Sequence, residues 1–382
     1  MRTFLPAFLL TLLLSPAAQG TTFTITYTGV PAQAQAAIEN AAAIWSGIVD
    51  SDVPIKVHVN WFPMGDLALG ITFPNGRKDF AAAPVSATWY ATSLANSIAG
   101  MELNPGENDF DVYLNSGTDW YYGTDGNPGN SQYDLVSIAL HEFGHGLGFV
   151  GLSKKVDDEG SFGLLLASDF APLTTSFPWP ELDTLPGIFD RYLKNQMDEV
   201  LVFQENPSTF LGTAFTSNQI YWNGQIALEA NGDNSIRIYA PSTYALGSSC
   251  VHLNEASYPN GNPNELMTPF SGAGDSNHWP GPICIGMLRD IGWGVAPGVG
   301  IAEEHASQNR LTVYPNPAHD MITVSAATRS TGTLITISDV AGRPVLTTSD
   351  AGSVNITTLA PGTYSITRTD HDLRSFGTFI KE

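Results

Sequence analysis

The sequence predicts an α+β protein: a mixed unit with a twisted sheet and an apolar, capped helix, followed by a small all-β sandwich. Two observations carry that expectation. Over the first part of the chain, period-2 apolar alternation and 3.6-period apolar stripes take turns, which places helices on a sheet. Beyond residue 308, only short β-like runs separated by turn residues remain.

The first twenty residues read as an export signal. Arg2 precedes an apolar run over residues 5–14, and Ala17, Ala18 and Gly20 supply small residues for cleavage. That run is too short to span a bilayer, which takes ~20 apolar residues, and no later segment reaches that length. Residues 21–296 form the first expected domain. Residues 22–28 alternate as a strand, with Phe23, Ile25 and Tyr27 on one face. Residues 31–49 read as a helix, because Ala34, Ile38, Ala41, Trp45 and Ile48 fall at helical spacing. Residues 55–61 alternate again, and 110–114 are a further short strand. Gly, Asn and Asp dominate 115–133, a loop. Asp134 then caps a helix through His145, which Gly146 and Gly148 end. Residues 152–249 are long and mixed, with a strand-like piece at 235–239, and a last helix is expected over 282–291. Small and polar residues make 297–307 a linker. The second domain, 308–382, has β-like runs at 311–314, 321–325, 334–338, 353–357 and 362–369, the spacing of a small antiparallel sandwich.

The chain has 43% hydrophobic and 14% charged residues, a globular composition, with a net charge of −21. From residue 308 on, Arg310, Arg329, Arg343, Arg368, Arg374 and Lys381 balance Asp320, Asp339, Asp350, Asp370, Asp372 and Glu382. The whole negative excess therefore lies upstream. A surface this acidic argues against nucleic acid and anionic membranes as partners. Cys250 and Cys284 are the only cysteines, and an even pair in an exported chain predicts a disulfide. Glu107, Asp109, Asp111, Asp119 and Asp125 offer oxygen ligands for Ca²⁺. They match no defined calcium loop, and a solvated acidic surface is the simpler expectation.

The chemistry is expected at His141-Glu142-Phe143-Gly144-His145. On a helix, histidines four apart share a face, so both imidazoles can reach one Zn²⁺. Glu142 stands beside them, placed to take a proton from metal-bound water, whose pKa zinc lowers toward ~7. A catalytic zinc needs a third protein ligand and one open position. His58 lies in a strand far upstream, and His305, His319 and His371 lie in the linker or the second domain. His252 and His278 remain as candidates.

The run from His141 to Phe149 resembles the opening of the metzincin pattern, with Gly148 three residues after the second histidine. Most metzincins place a third histidine three residues further on, where this chain has Gly151. The arrangement is similar to the leishmanolysin branch, whose third histidine comes far downstream, shortly before a methionine turn. His252 in Cys250-Val251-His252-Leu253 and Met267 in Leu266-Met267-Thr268-Pro269 match that order. The resemblance implies a metzincin-like catalytic domain, with zinc in a cleft between an N-terminal sheet part and an irregular C-terminal part. It implies His141, His145 and His252 as ligands, Glu142 as general base, Met267 as the hydrophobic floor, and protein or peptide substrates. It favours His252 over His278, which follows the turn. A Cys250–Cys284 bridge would then tie the third ligand's loop to the helix behind the floor. Pro269 stands where several metzincins have a tyrosine that assists the oxyanion, so that role does not carry over. A zinc-bearing adhesin and a metallohydrolase of non-peptide bonds are the rival expectations.

Residues 311–318 (Leu311-Thr312-Val313-Tyr314-Pro315-Asn316-Pro317-Ala318) resemble the opening of the type IX secretion sorting domain of Bacteroidetes. Residues 335–343 and 359–364 resemble its later blocks, and the chain ends near the usual basic terminus, at Lys381-Glu382. The resemblance implies engagement of the type IX secretion machinery and a protein that is secreted or held at the outer cell surface.

Overall fold

The computed structural model describes residues 20–65, 68–173, 183–296, 311–325, 334–338, 344–349, 353–370 and 373–382. The export signal up to residue 19 and the linker 297–307 lie outside them. The described residues fall into two compact units, one within 1–300 and one within 301–382.

The first unit is mixed α+β with several small sheets. Its main sheet has strands β1 (Phe23–Thr28), β2 (Ile55–Phe62), β3 (Gly70–Pro74) and β4 (Phe110–Asn115), in the order β1-β2-β4-β3. The first three in that order run parallel, and β3 pairs antiparallel with β4 at the edge. Alternation fixes which side is covered: Ile55, Val57, Val59, Phe110, Val112 and Leu114 are buried, while the intervening Lys56, His58, Asp111 and Tyr113 are part-exposed. The covering layer includes helices α1 (Ala32–Ser46) and α3 (Leu135–Gly146), with α2 (Thr92–Ala99) between them in the chain. All five residues at helical spacing in α1's stretch are buried. Trp45 Nε1 donates to Leu140 O at 2.9 Å, joining α1 to α3 through a buried polar contact.

Asp134 Oδ1 accepts from Ser137 N at 2.7 Å, so α3 begins as its capping residue predicts. The 152–249 stretch contains a three-stranded sheet, Leu193–Asn195, Ile220–Trp222 and Ile236–Ile238, and two short helices, α4 (Thr209–Ala214) and α5 (Gln225–Ala230). Helix α6 (Gly281–Ile291) packs on α5. The sequence predicts no element over 62–109. There the structure places β3, α2 and the paired strands Gly76–Lys78 and Trp89–Ala91, all too short for a periodic signal of their own.

The second unit is all-β, with a three-stranded and a four-stranded antiparallel sheet. One core includes Ile322, Val324, Ile335, Ile337, Val354 and Ile366. Strands Pro344–Ser349 and Leu373–Lys381 join those expected from the sequence.

Candidate metal centre

Helix α3 sets His141 and His145 one turn apart, and His252 joins them in a cleft of ≈ 1160 Å³. The three Nε2 atoms form a triangle: His145 to His141 3.0 Å, His145 to His252 3.2 Å, and His252 to His141 3.3 Å. Each Nδ1 faces a backbone carbonyl: His141 that of Leu266 (2.6 Å), His145 that of Phe149 (2.6 Å) and His252 that of Ser248 (2.9 Å). A carbonyl only accepts, so each Nδ1 carries the proton and each Nε2 presents a lone pair. Three lone pairs meeting at this distance repel unless a cation sits among them. A tetrahedral zinc bound at 2.0–2.1 Å holds its nitrogen ligands about 3.3 Å apart, so the donor set fits. The outer carbonyls fix each ring's tautomer, as metal-ligating histidines require. Burial lowers all three imidazole pKa values. Neighbouring rings lower His145 and His252 further, and His252 falls to about 3. They are neutral donors at physiological pH. Among the described residues, these three are the group of His, Cys, Asp and Glu side chains that could hold a metal ion.

Glu142 is 4% exposed and lines the same cleft. Burial pushes its carboxyl up to about 8, opposed by the Thr72 hydroxyl, which donates to Oε2 at 2.7 Å. Met267 is fully buried against α3 beside Gly144. A Cβ on Gly144 would stand 2.8 Å from its Sδ. Its own carbonyl accepts from Leu253 N at 2.8 Å, so the Met267 backbone is tied to the residue after His252.

The backbone holds His252's segment. Cys250 N donates to Tyr239 O, Tyr239 N to His252 O and Asn254 N to Arg237 O, which extends the sheet beyond Ile236–Ile238. This replaces the bridge expected from the sequence: Cys250 and Cys284 are separate, free, buried thiols. Burial raises the pKa of both thiols. Gly151, at the compact third-ligand position, has no room for a side chain. A Cβ there would lie 2.6 Å from Asp190 Oδ1 and 2.9 Å from Val251 Cγ1.

His278 does not join the cluster. Its Nε2 lies 2.8 Å from Asp134 Oδ1 at the start of α3, about two turns from His141. The five acidic residues considered for Ca²⁺ do not converge. Asp109 accepts from Lys56 N and Asn96, Asp111 from Asn108, Glu107 from Asn104 and Asp125 from Tyr121. Sequence reasoning missed Thr72 and Gly70. The alternating Gly-Ile-Thr-Phe-Pro run was their one signal.

Residues 312–382 match the model of the secretion system C-terminal sorting domain. No curated protein matches the chain. The sorting domain engages the type IX secretion system, and the protein is secreted or resides at the outer cell surface. Among the described residues, no helix is long and apolar enough to cross a membrane.

Proposed function

We propose that the first unit is a zinc-dependent endopeptidase of metzincin type, with the leishmanolysin-like order of ligands. Its boundaries follow the sequence reading: signal 1–20, catalytic domain 21–296, linker 297–307 and sorting domain 308–382. The observation that carries this is the convergence of three neutral imidazoles beside a buried carboxyl in one open cleft. His141, His145 and His252 would hold zinc, which when bound polarises the scissile carbonyl and brings the pKa of its water toward ~7. Glu142 takes the proton from the attacking water as the C–O bond forms. It returns that proton to the leaving nitrogen as the C–N bond breaks. Its position suits both tasks, since it lines the cleft beside the three imidazoles with Thr72 donating to one oxygen. Met267 forms an apolar floor that keeps the two halves of the site together.

The cleft also favours a peptide substrate. It runs beside β3, an edge strand whose outer main-chain groups suit an extended chain. Glu142→Gln tests the reading. It should keep one zinc per chain while cleavage of casein and gelatin falls ~10²–10⁴-fold, the usual contribution of a general base. Metal analysis beside a digestion assay checks it. More than about a tenth of wild-type rate would reject Glu142 as the base.

A further inference from the structure

We infer that Thr72, acting with Gly70 on edge strand β3, is the positioning residue for the Glu142 carboxylate. The inference rests on the reading of Glu142 as the group that moves the proton.

Register sets the geometry. Thr72 pairs with Val112 and Gly70 with Leu114, so both lie on the sheet face that carries Phe110, Val112 and Leu114. Those three are fully buried, and α3 packs on this face. Thr72 itself is half-buried and lines the cleft. Valine has the same shape and an equal liking for strands, so what threonine adds at this position is a hydroxyl. The hydroxyl donates to Glu142 Oε2 at 2.7 Å. Among the described residues, it is the hydrogen-bond partner the structure gives that carboxylate.

Gly70 completes the seat. Its backbone is not in the left-handed region, so conformation does not call for glycine. Space does: a Cβ at Gly70 would lie 2.6 Å from Glu142 Oε1 and 2.8 Å from Cδ and Cγ. Alternate residues of one strand therefore grip the two carboxylate oxygens differently. Thr72 anchors Oε2, and the bare backbone of Gly70 lets the Oε1 side lie flat against the strand. A glutamate held only by its own helix would sample several rotamers. A proton carrier must stay within hydrogen-bond reach of its partners, and a misplacement of about 1 Å can cost ~10²-fold in rate.

The test compares Thr72→Val, Thr72→Ser and Gly70→Ala with wild type in the full zinc-loaded chain. Thr72→Val should lower kcat for a peptide substrate ~10–100-fold with KM within about twofold, and Gly70→Ala should act in the same direction. Zinc content should stay stoichiometric in both. Thr72→Ser, which restores the hydroxyl, should recover kcat to within about threefold of wild type. A kcat for Thr72→Val within about twofold of wild type would overturn the inference. So would Thr72→Ser behaving no better than Thr72→Val, because the effect would then belong to packing. A second arm needs no turnover. In metal-free protein, Thr72→Val should shift the urea midpoint more when Glu142 is present than in a Glu142→Ala background. Wild-type protein that leaves casein and gelatin intact would reject the peptidase reading. Equal midpoint shifts in the two backgrounds would instead reject the Thr72–Glu142 seat itself.

Discussion

Helix α3 and the 248–269 segment both present imidazoles to the same point, but different parts of the chain's physics hold them there. On α3, the spacing of His141 and His145 is a property of the helix, capped by Asp134 and braced by Trp45. His252 depends on long-range backbone pairing instead: to Tyr239 and Arg237 in the neighbouring strand region, and through Leu253 to the carbonyl of Met267. The Leu266 carbonyl then accepts from His141 and links the two halves. In one half the spacing of the imidazoles is set by local helix geometry. The other is assembled only when the tertiary fold is complete.

The largest effect should come from breaking the assembled half. His252→Ala removes one of three nitrogens, so zinc should be lost on dialysis against a weak chelator and turnover abolished. His278→Ala should retain stoichiometric zinc, because His278 bonds Asp134 at the far end of α3. Zinc content of the two variants decides between them. Loss of metal from the His278 variant alone would show that the three-imidazole cluster is not the binding site.

The same contrast explains what could be read in the sequence. Asp134, the apolar run after it and the four-residue spacing place α3 and two imidazoles by local rules. The order of His252 before Met267 came only from a family resemblance, since no local rule joins residues a hundred positions apart. Thr72 and Gly70 escaped because β3 is five residues long and its pairing with β4 is non-local. The cysteines misled for a related reason. An even count is a chain-wide statistic, while bridging is decided by which way each buried Sγ points. In the second unit, 353–357 and 362–369 were legible as strands because turn residues bracket them, and Ser353–Asn355 and Gly362–Asp370 lie there.

A smaller effect should sharpen the comparison at the contact between the halves. Met267→Ala empties a fully buried site against Gly144 and should cost about 2–5 kcal/mol. Gly144→Ala crowds the same space from the helix side, with its Cβ 2.8 Å from Sδ. It should cost about 1–3 kcal/mol. The double variant should lose less than the two costs added, because removing the sulfur makes room for the new methyl. Chemical unfolding of the three variants measures this. Strict additivity would mean that the helix and the methionine turn do not press on one another.

The smallest expected effect is an absence of change. A Cys250–Cys284 bridge would close a loop of about 35 residues and stabilise the fold by roughly 4 kcal/mol through the entropy of the unfolded chain. Reducing it would lower the melting temperature on the order of 10 °C. The structure holds two free buried thiols and secures the His252 segment by backbone pairing instead. Dithiothreitol should therefore leave the melting temperature within about 1 °C of the untreated protein. Thiol counting under denaturing conditions, without reductant, should find both cysteines reactive. Cys284→Ala would carry only the modest cost of a small cavity in the α6 core, with zinc retained. A drop of several degrees in dithiothreitol would restore the bridge and make covalent closure, rather than strand pairing, the force that brings His252 to α3.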